Sequence, residues 1–259
     1  MNQRFHLIEF HEQPWVPQLL REGVTDYLRF VTEIAGHYKA VAPLVTTLLE
    51  EQPEKQIVDL GSGAGGGWRK LHPMLEDSLR EPVRITLTDR NPNLAAFESG
   101  FESFSGRISY RAEPVDARDV PEDLKGLRTM FNIFHHLRPD DARSVIADAD
   151  AKNQPLLIVE VLEKSFIQAV LILILAPIFA LILTPFIRPF RVSRIVLTYL
   201  IPALPLMIAW DGFVSVLRLY GPPQMNQLCD GLDGLTWESG KLKNGSITML
   251  YLMGSSRTR

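Results

Sequence analysis

The chain has 259 residues, of which 46% are hydrophobic and 22% charged, and its formal net charge is −3. That composition supplies a sizeable core and suits one large α/β domain with an elaboration; the faintly acidic balance, without a basic stripe, argues against a nucleic-acid binder. The one cysteine, Cys229, excludes an intramolecular disulfide and fits a reducing compartment.

The opening MNQRFHLIEFHEQPW holds no apolar run of signal-peptide length. From Pro17 to Leu49 the pattern is helical. Leu20, Val24, Leu28 and Val31 share a stripe, and Gly36 and Pro43 are expected to break the run into two or three helices. At Gln56 the texture changes. QIVDLGSGAGGGWRKL reads as a strand, a glycine-rich turn and a helix. VRITLTDRNP is a second strand ending near Asp89, ISYRAEPVDARDVP a third with its loop, and LRTMFNIF a fourth. HHLRPDDARSVIADADA follows, with Pro139 suited to the first turn of a helix. QPLLIVEVLE is a fifth strand. Strands alternating with helices predict a parallel sheet covered on both faces. After an apolar region over about Lys164 to Tyr220, PPQMNQLCDGL predicts a short helix. LTWESGKLKNGSITMLYLMG predicts a β-hairpin turning at KNGS.

A strand, a glycine turn and a helix make a recipe for a nucleotide site, because glycine lets a ligand approach the backbone and the helix start offers free N–H groups. The spacing of Gly61, Gly63 and Gly66 also fits GxGxxG, which alone is weak evidence. Three carboxylates sharpen it. Asp59 stands two residues before Gly61, Asp89 ends the second strand, and Asp116 lies in VDARDV after the third. Together they suit a ligand carrying an amino group, a ribose and an adenine. They suit a pyrophosphate poorly, because like charges repel.

VDLGSGAGG, LTDRNP and VDARDV, in that order on consecutive strands, resemble the class I S-adenosylmethionine-dependent methyltransferases, as does the closing hairpin ITMLYLMG. The resemblance covers roughly Gln56–Glu163 and Pro222–Gly254. It implies an α/β fold: a Rossmann-like methyltransferase sheet, mostly parallel, with a C-terminal antiparallel hairpin. It also implies S-adenosylmethionine as cofactor. The implied cofactor residues are Asp59 near the amino group, Gly61, Ser62 and Gly63 at the methionine moiety, Asp89 and Arg90 at the ribose, Asp116 and Ala117 near the adenine, and Asn132 lining the pocket. The N-terminal helices resemble a lid, from which Tyr27 and Tyr38 could face the cofactor; the plainer reading makes both tyrosines packing residues.

FNIFHHLRP leaves the fourth strand at the end where catalytic groups sit in such folds. His135 and His136 titrate near neutrality, so either is a candidate to take a proton from a hydroxyl, His135 being nearer the strand. A helix-capping role is the alternative. No metal site is expected, since adjacent histidines should point apart and no Cys or Glu stands at a supporting spacing.

The stretch from Phe166 to Ile187 is 22 residues without a charge, about 33 Å as a helix and long enough to cross a bilayer core. Its only partner for a return crossing, IVLTYLIPALPLMIAW, is shorter and contains Pro202 and Pro205. The loop between them carries Arg188, Arg191 and Arg194, which a full hairpin would carry across. A re-entrant or interfacial pair fits better, with the arginines at anionic headgroups and with Pro177 and Pro185 breaking the first helix. The alternatives are a buried core and a dimer interface. WDGFVSVLRLYGP closes the region. Asp211, Ser215 and Arg218 lie near one helical face there, and with Tyr220 they are candidates to orient the head of an acceptor.

The expected organisation is a helical lid over 1–55, the cofactor-binding core over 56–163, the apolar insertion over 164–220, and a closing helix and hairpin over 221–259. The expected function is methyl transfer from S-adenosylmethionine to a lipophilic small molecule or lipid, by a cytoplasmic protein peripheral at the inner face of a membrane, with a homodimer possible. Three alternatives stand beside it: a soluble small-molecule methyltransferase dimerising through the insertion, a non-catalytic membrane-associated S-adenosylmethionine binder, and, more distantly, an NAD-linked oxidoreductase.

Overall fold

The computed structural model of the chain describes residues 4–257 except 66, 102, 103, 105 and 246, and no side chain at 38, 95 or 99. The chain forms two compact units. One comprises Gly36–Leu162 with Gly221–Arg259, the other the residues up to Ala35 with Glu163–Tyr220.

The larger unit is built on a sheet of seven strands among the described residues, in the order β3-β2-β1-β4-β5-β7-β6. β1 (Gln56–Leu60), β2 (Arg84–Thr88), β3 (Ile108–Tyr110), β4 (Leu127–Phe131) and β5 (Leu156–Glu160) are mutually parallel. β6 (Leu235–Asn244) and β7 (Ile247–Ser256) form the closing hairpin, and β7 lies antiparallel to β5. This is the mostly parallel sheet with an antiparallel end that the sequence predicts. The central strands are apolar on both faces because helices cover both: every residue of β5 is buried. α2 (Tyr38–Glu50) and α3 (Trp68–Leu79) share a core with the sheet, in which Val45, Leu48, Trp68, Leu71 and Leu75 meet Ile57, Ile85 and Leu127. α4 (Leu94–Phe101), α5 (Pro139–Ala151) and α9 (Pro222–Cys229) complete this unit, with Pro139 at the first turn of α5 as expected. Pro43 does not break the second helix. It lies inside α2, where the burial of Val41, Val45, Leu48 and Leu49 outweighs one missing backbone hydrogen bond.

The smaller unit contains α1 (Gln18–Ala35), α6 (Phe166–Leu183), α7 (Val192–Ile195), a π-helical turn at Val196–Leu200 and α8 (Ala203–Arg218). Of the helices expected over 1–55, α1 falls in this unit and α2 in the other. The buried stripe of α1 is rotated from the expected one. Val24 and Tyr27 are buried with Val16, Leu204, Met207 and Ile208, while Leu28 points outward. Pro177 does not interrupt α6, and the helix yields only at a short 3-10 turn over Thr184–Phe186, around Pro185.

The connecting arginines are not displayed to solvent as a group. Arg194, buried, donates to Asp26 and to the carbonyls of Ile187 and Pro189, and Arg191 pairs with Glu22. Glu22 and Asp26, one turn apart on α1, thus pair two of the three arginines, while Arg188 is exposed. Truncating Arg194 leaves two carbonyls and part of Asp26 without their donor. Arg194→Ala is expected to cost about 3 kcal/mol, read as a lowered urea midpoint by circular dichroism; an unchanged midpoint would show that the pair contributes no net stability.

Candidate active site

Parallel pairing brings the C-terminal ends of β1, β2, β4 and β5 to one edge of the sheet, and the turns leaving those ends carry most of the residues singled out above. The turn after β1 begins at Gly61, whose φ is +69° and where a Cβ would lie 2.2 Å from the side chain of Ile133. Only glycine meets both conditions. Ser62 ties the turn to the sheet: its hydroxyl donates to the carbonyl of Asp59, and its N–H to the carbonyl of Thr88. Gly63 is also left-handed, at φ +58°, and its N–H donates to Asp89 Oδ2 at 2.9 Å. The third glycine of the spacing motif, at position 66, lies outside the described residues.

Asp59 is 4% exposed, and its Oδ1 accepts the hydroxyl of Thr129 on the neighbouring strand at 2.7 Å. Burial pushes its pKa up to about 6, with Asp89 adding to the rise and the Thr129 hydroxyl opposing it. Asp89 follows β2 and is better served, accepting the N–H groups of Gly63 and Asn91. Arg90 beside it is exposed. Asp116 is gripped by Arg118 through its Nε and Nη2, and Arg118 Nη1 donates to Asp141 at 2.6 Å. The hydrogen bonds from Arg118 hold the Asp116 carboxyl down at about 2. Ala117, half-buried, lies between them in the chain.

After β4, Asn132 adopts φ +57° and its side-chain oxygen accepts the N–H of Val161, bracing the exit of β4 against that of β5. A short 3-10 turn over Phe134–His136 follows. Within it His135 is held twice by Glu160, the last residue of β5. Glu160 Oε1 accepts the His135 backbone N–H at 2.9 Å, and Oε2 lies 2.8 Å from His135 Nδ1. Glu160 is 1% exposed and His135 5%. The rings of His135 and His136 do not diverge as adjacency suggested. Their centroids lie 4.1 Å apart.

Sequence reasoning singled out His135 but missed Glu160 and Arg118. The signal for Glu160 was present, since an acid ending an apolar strand of an α/β sheet stands where Asp89 stands. Register alone pairs it with the histidine.

Other candidates are engaged elsewhere. Tyr27 belongs to the core of the smaller unit, where burial raises its phenol to about 12. Tyr38 begins α2, and its side chain lies outside the described residues. The four proposed acceptor-binding groups bind the chain's own N-terminal segment. Asp211 accepts the N–H groups of Phe10 and His11, and Ser215 donates to Glu9. Arg218 forms a fork with Glu12 and donates to the carbonyl of Leu7, while Arg4 covers the ring of Tyr220 at 4.1 Å. Asp211, Arg218 and Tyr220 are buried by these contacts. Together these contacts make a clamp on residues 4–12.

The strand order, the glycine turn and the antiparallel end together define a Rossmann-like methyltransferase fold, and the comparison of structures agrees. An O-methyltransferase family protein from Burkholderia thailandensis is 15% identical at a TM-score of 0.51, the match covering 91% of this chain and 60% of that one. An O-methyltransferase family 2 protein from Planctomyces limnophilus, solved in complex with apigenin, is 16% identical at a TM-score of 0.50, covering 94% and 66%. A Rhodobacter sphaeroides protein described as a putative Zn-dependent alcohol dehydrogenase is 14% identical at 0.51, covering 94% and 100%. The chain therefore spans less than two thirds of the two methyltransferases, and likeness at these identities is likeness of fold. No protein-family model and no curated protein matches the chain.

The raised pKa of Asp59 has a measurable consequence. The folded protein holds this proton up to about pH 6, whereas the unfolded chain releases it near 3.8. The contribution of neutral Asp59 is full below the unfolded value and is lost as pH rises through the folded one, a loss of up to about 3 kcal/mol. Urea unfolding of wild type and Asp59→Asn across this window should show the slope in wild type only; parallel curves would show that Asp59 titrates normally.

Proposed function

We propose that the protein transfers a methyl group from S-adenosylmethionine to a hydroxyl of a lipophilic acceptor at a membrane surface. The observation that carries the reading is the His135–Glu160 pair at the sheet edge that also holds the glycine turn, Asp59 and Asp89. The chemistry of the donor set fits the cofactor. Asp59 is a buried carboxylate able to face an ammonium group. Asp89 offers oxygens held by N–H groups that ribose hydroxyls can replace. The left-handed backbone at Gly61 and Gly63 leaves room for close approach. When bound, S-adenosylmethionine supplies an electrophilic methyl on a sulfonium.

The chain's own residues then orient and deprotonate. Glu160 accepts from His135 at both the backbone N–H and Nδ1. The proton therefore rests on Nδ1, and Nε2 is the nitrogen that accepts the acceptor's hydroxyl proton. Buried Glu160 stabilises the imidazolium that forms. The lipophilic acceptor is supported by the insertion after β5, which displays large apolar side chains such as Ile174, Ile178 and Ile182.

Methyl-labelled S-adenosylmethionine incubated with the purified protein and a total lipid and metabolite extract should put enzyme-dependent label into the organic phase. Label confined to the aqueous phase would replace the lipophilic acceptor with a soluble one. Absence of transfer together with cofactor binding would favour a non-catalytic binder. Once a product is known, Glu160→Gln is expected to lower kcat about 100-fold, with cofactor affinity by calorimetry unchanged and the pH dependence of kcat altered. An unaltered pH profile would return the pair to a purely structural role.

A further inference from the structure

The two units have opposite surfaces. All but two of the exposed large hydrophobic side chains among the described residues lie in the smaller unit, and the two exceptions are Leu94 and Tyr110. α6 shows how this arises. Its fully buried positions are small residues, Ala169 and Ala180, with Ala176 and Leu183 packed partly buried against the core of the unit. Across from α6, Gly212 on α8 lies so near that a Cβ there would sit 2.7 Å from Ile172. The outward face carries Ile167, Leu171, Ile174, Ile178 and Ile182, between 47% and 71% exposed. Small residues inside and large aliphatics outside reverse the pattern of a helix folded in water. Helices packed in lipid are built that way, because close backbone approach drives association and the solvent is itself apolar.

The same residues indicate how deep the unit can go. α6 and its following turn, Phe166–Phe186, are long and apolar enough to cross a bilayer. The tertiary structure opposes a full crossing. The clamp of Asp211, Ser215 and Arg218 with Glu9, His11 and Glu12 surrounds the C-terminal half of α8, and the contact of Gly212 with Ile172 sets that charged layer level with the first half of α6. Beyond the clamp α8 continues only from Trp210 back to Ala203, about 12 Å, and α6 from Leu173 to Leu183, about 16 Å. A single leaflet's hydrocarbon is about 15 Å thick. The chain then turns. The segments Val192–Leu200 and Ala203–Arg218 meet at 80°, and the tip displays Phe186, Phe190, Val192, Leu200 and Ile201. Arg191 and Arg194 are already paired with Glu22 and Asp26, which leaves the exposed Arg188 as the tip's cation, on a side chain long enough to snorkel to the headgroups.

We propose that the smaller unit is seated in one leaflet of a bilayer, with the outer face of α6 and the tip at residues 186–201 against acyl chains and the clamp at the level of the headgroups. A second copy is the weaker occupant. Exposed apolar side chains lie on α1 (Leu19, Leu28, Ile34) as well as on α6 and the tip, and lipid covers several faces at once where one partner covers one. The proposal rests on the membrane-surface reading above and deepens it by naming the inserting face and the depth.

The test is flotation of the full chain with phosphatidylcholine vesicles. Since the inserting face is apolar and Arg191 and Arg194 have internal partners, wild type is expected to float with neutral lipid at low and high salt alike. Ile174→Lys/Ile178→Lys, at two outward positions, is expected to reduce vesicle partition at least tenfold. Wild type that stays with the dense fraction and sediments as a detergent-free dimer would overturn the proposal in favour of a second copy, as would a double variant that floats like wild type. Ser193→Cys at the tip, treated with an impermeant maleimide sealed inside the vesicles, is expected to stay unlabelled; labelling beyond the wild-type Cys229 background would mean a crossing of both leaflets and overturn the one-leaflet seat. S-adenosylmethionine calorimetry on the same preparations separates the two readings: intact cofactor binding without flotation overturns only the membrane seat, and flotation without cofactor binding overturns only the proposed activity.

Discussion

The candidate active site depends on β1 being hydrogen-bonded in register on both sides, to β2 through Gln56–Leu60 and to β4 through Ile57–Asp59. Because both pairings are parallel, all the chain exits fall at one edge. The Thr129 hydroxyl reaches Asp59 only because Asp59 and Thr129 are register partners. Ser62 ties the glycine turn to Thr88, which is the partner of Leu60. One step further along, β4 pairs with β5, and His135 thereby comes within reach of Glu160. A slip of one residue in either pairing would turn these side chains to the opposite face of the sheet.

Charge is handled in three distinct ways. Asp116 is fully compensated by a neighbouring guanidinium and stays ionised at any ordinary pH. Asp59 has the Thr129 hydroxyl for company, and burial holds its proton up to about pH 6. That is the state in which a carboxylate gains most from an arriving cation. In the smaller unit the charges close on one another, Arg194 with Asp26 and Arg218 with Glu9 and Glu12. Internal pairing there withdraws Arg194 and Arg218 from a surface rich in exposed large hydrophobic side chains.

The two units therefore follow different solvent rules. The larger buries Trp68, Phe97 and Phe134 and keeps its large hydrophobics off the surface, with Leu94 and Tyr110 as the exposed exceptions. The smaller has its own buried core around Val24, Leu204 and Ile208, yet on α6 it buries alanines and turns isoleucine and leucine outward. Apolar area left in water is costly, at about 25 cal/mol per Å², and a chain that met the cost in one unit only would be poorly selected for water alone.

The sequence by itself determined the strand–helix alternation, the glycine turn, the acids at the strand ends and the existence of an uncharged helix after β5. These are local properties: side-chain period, backbone permissiveness at glycine and an unbroken apolar run each act within a few residues. The tertiary structure decided which polar groups meet. Asp211, Ser215 and Arg218 share a helical face, as their spacing showed, yet their partners come from residues more than two hundred positions away. The prolines 43 and 177, which read locally as breaks, lie within continuous helices because side-chain burial and packing outweigh a single lost backbone bond. His135 was legible as a candidate base, but Glu160 was not legible as its partner. A hydrogen bond between adjacent strands depends on register, and register is a property of the assembled sheet.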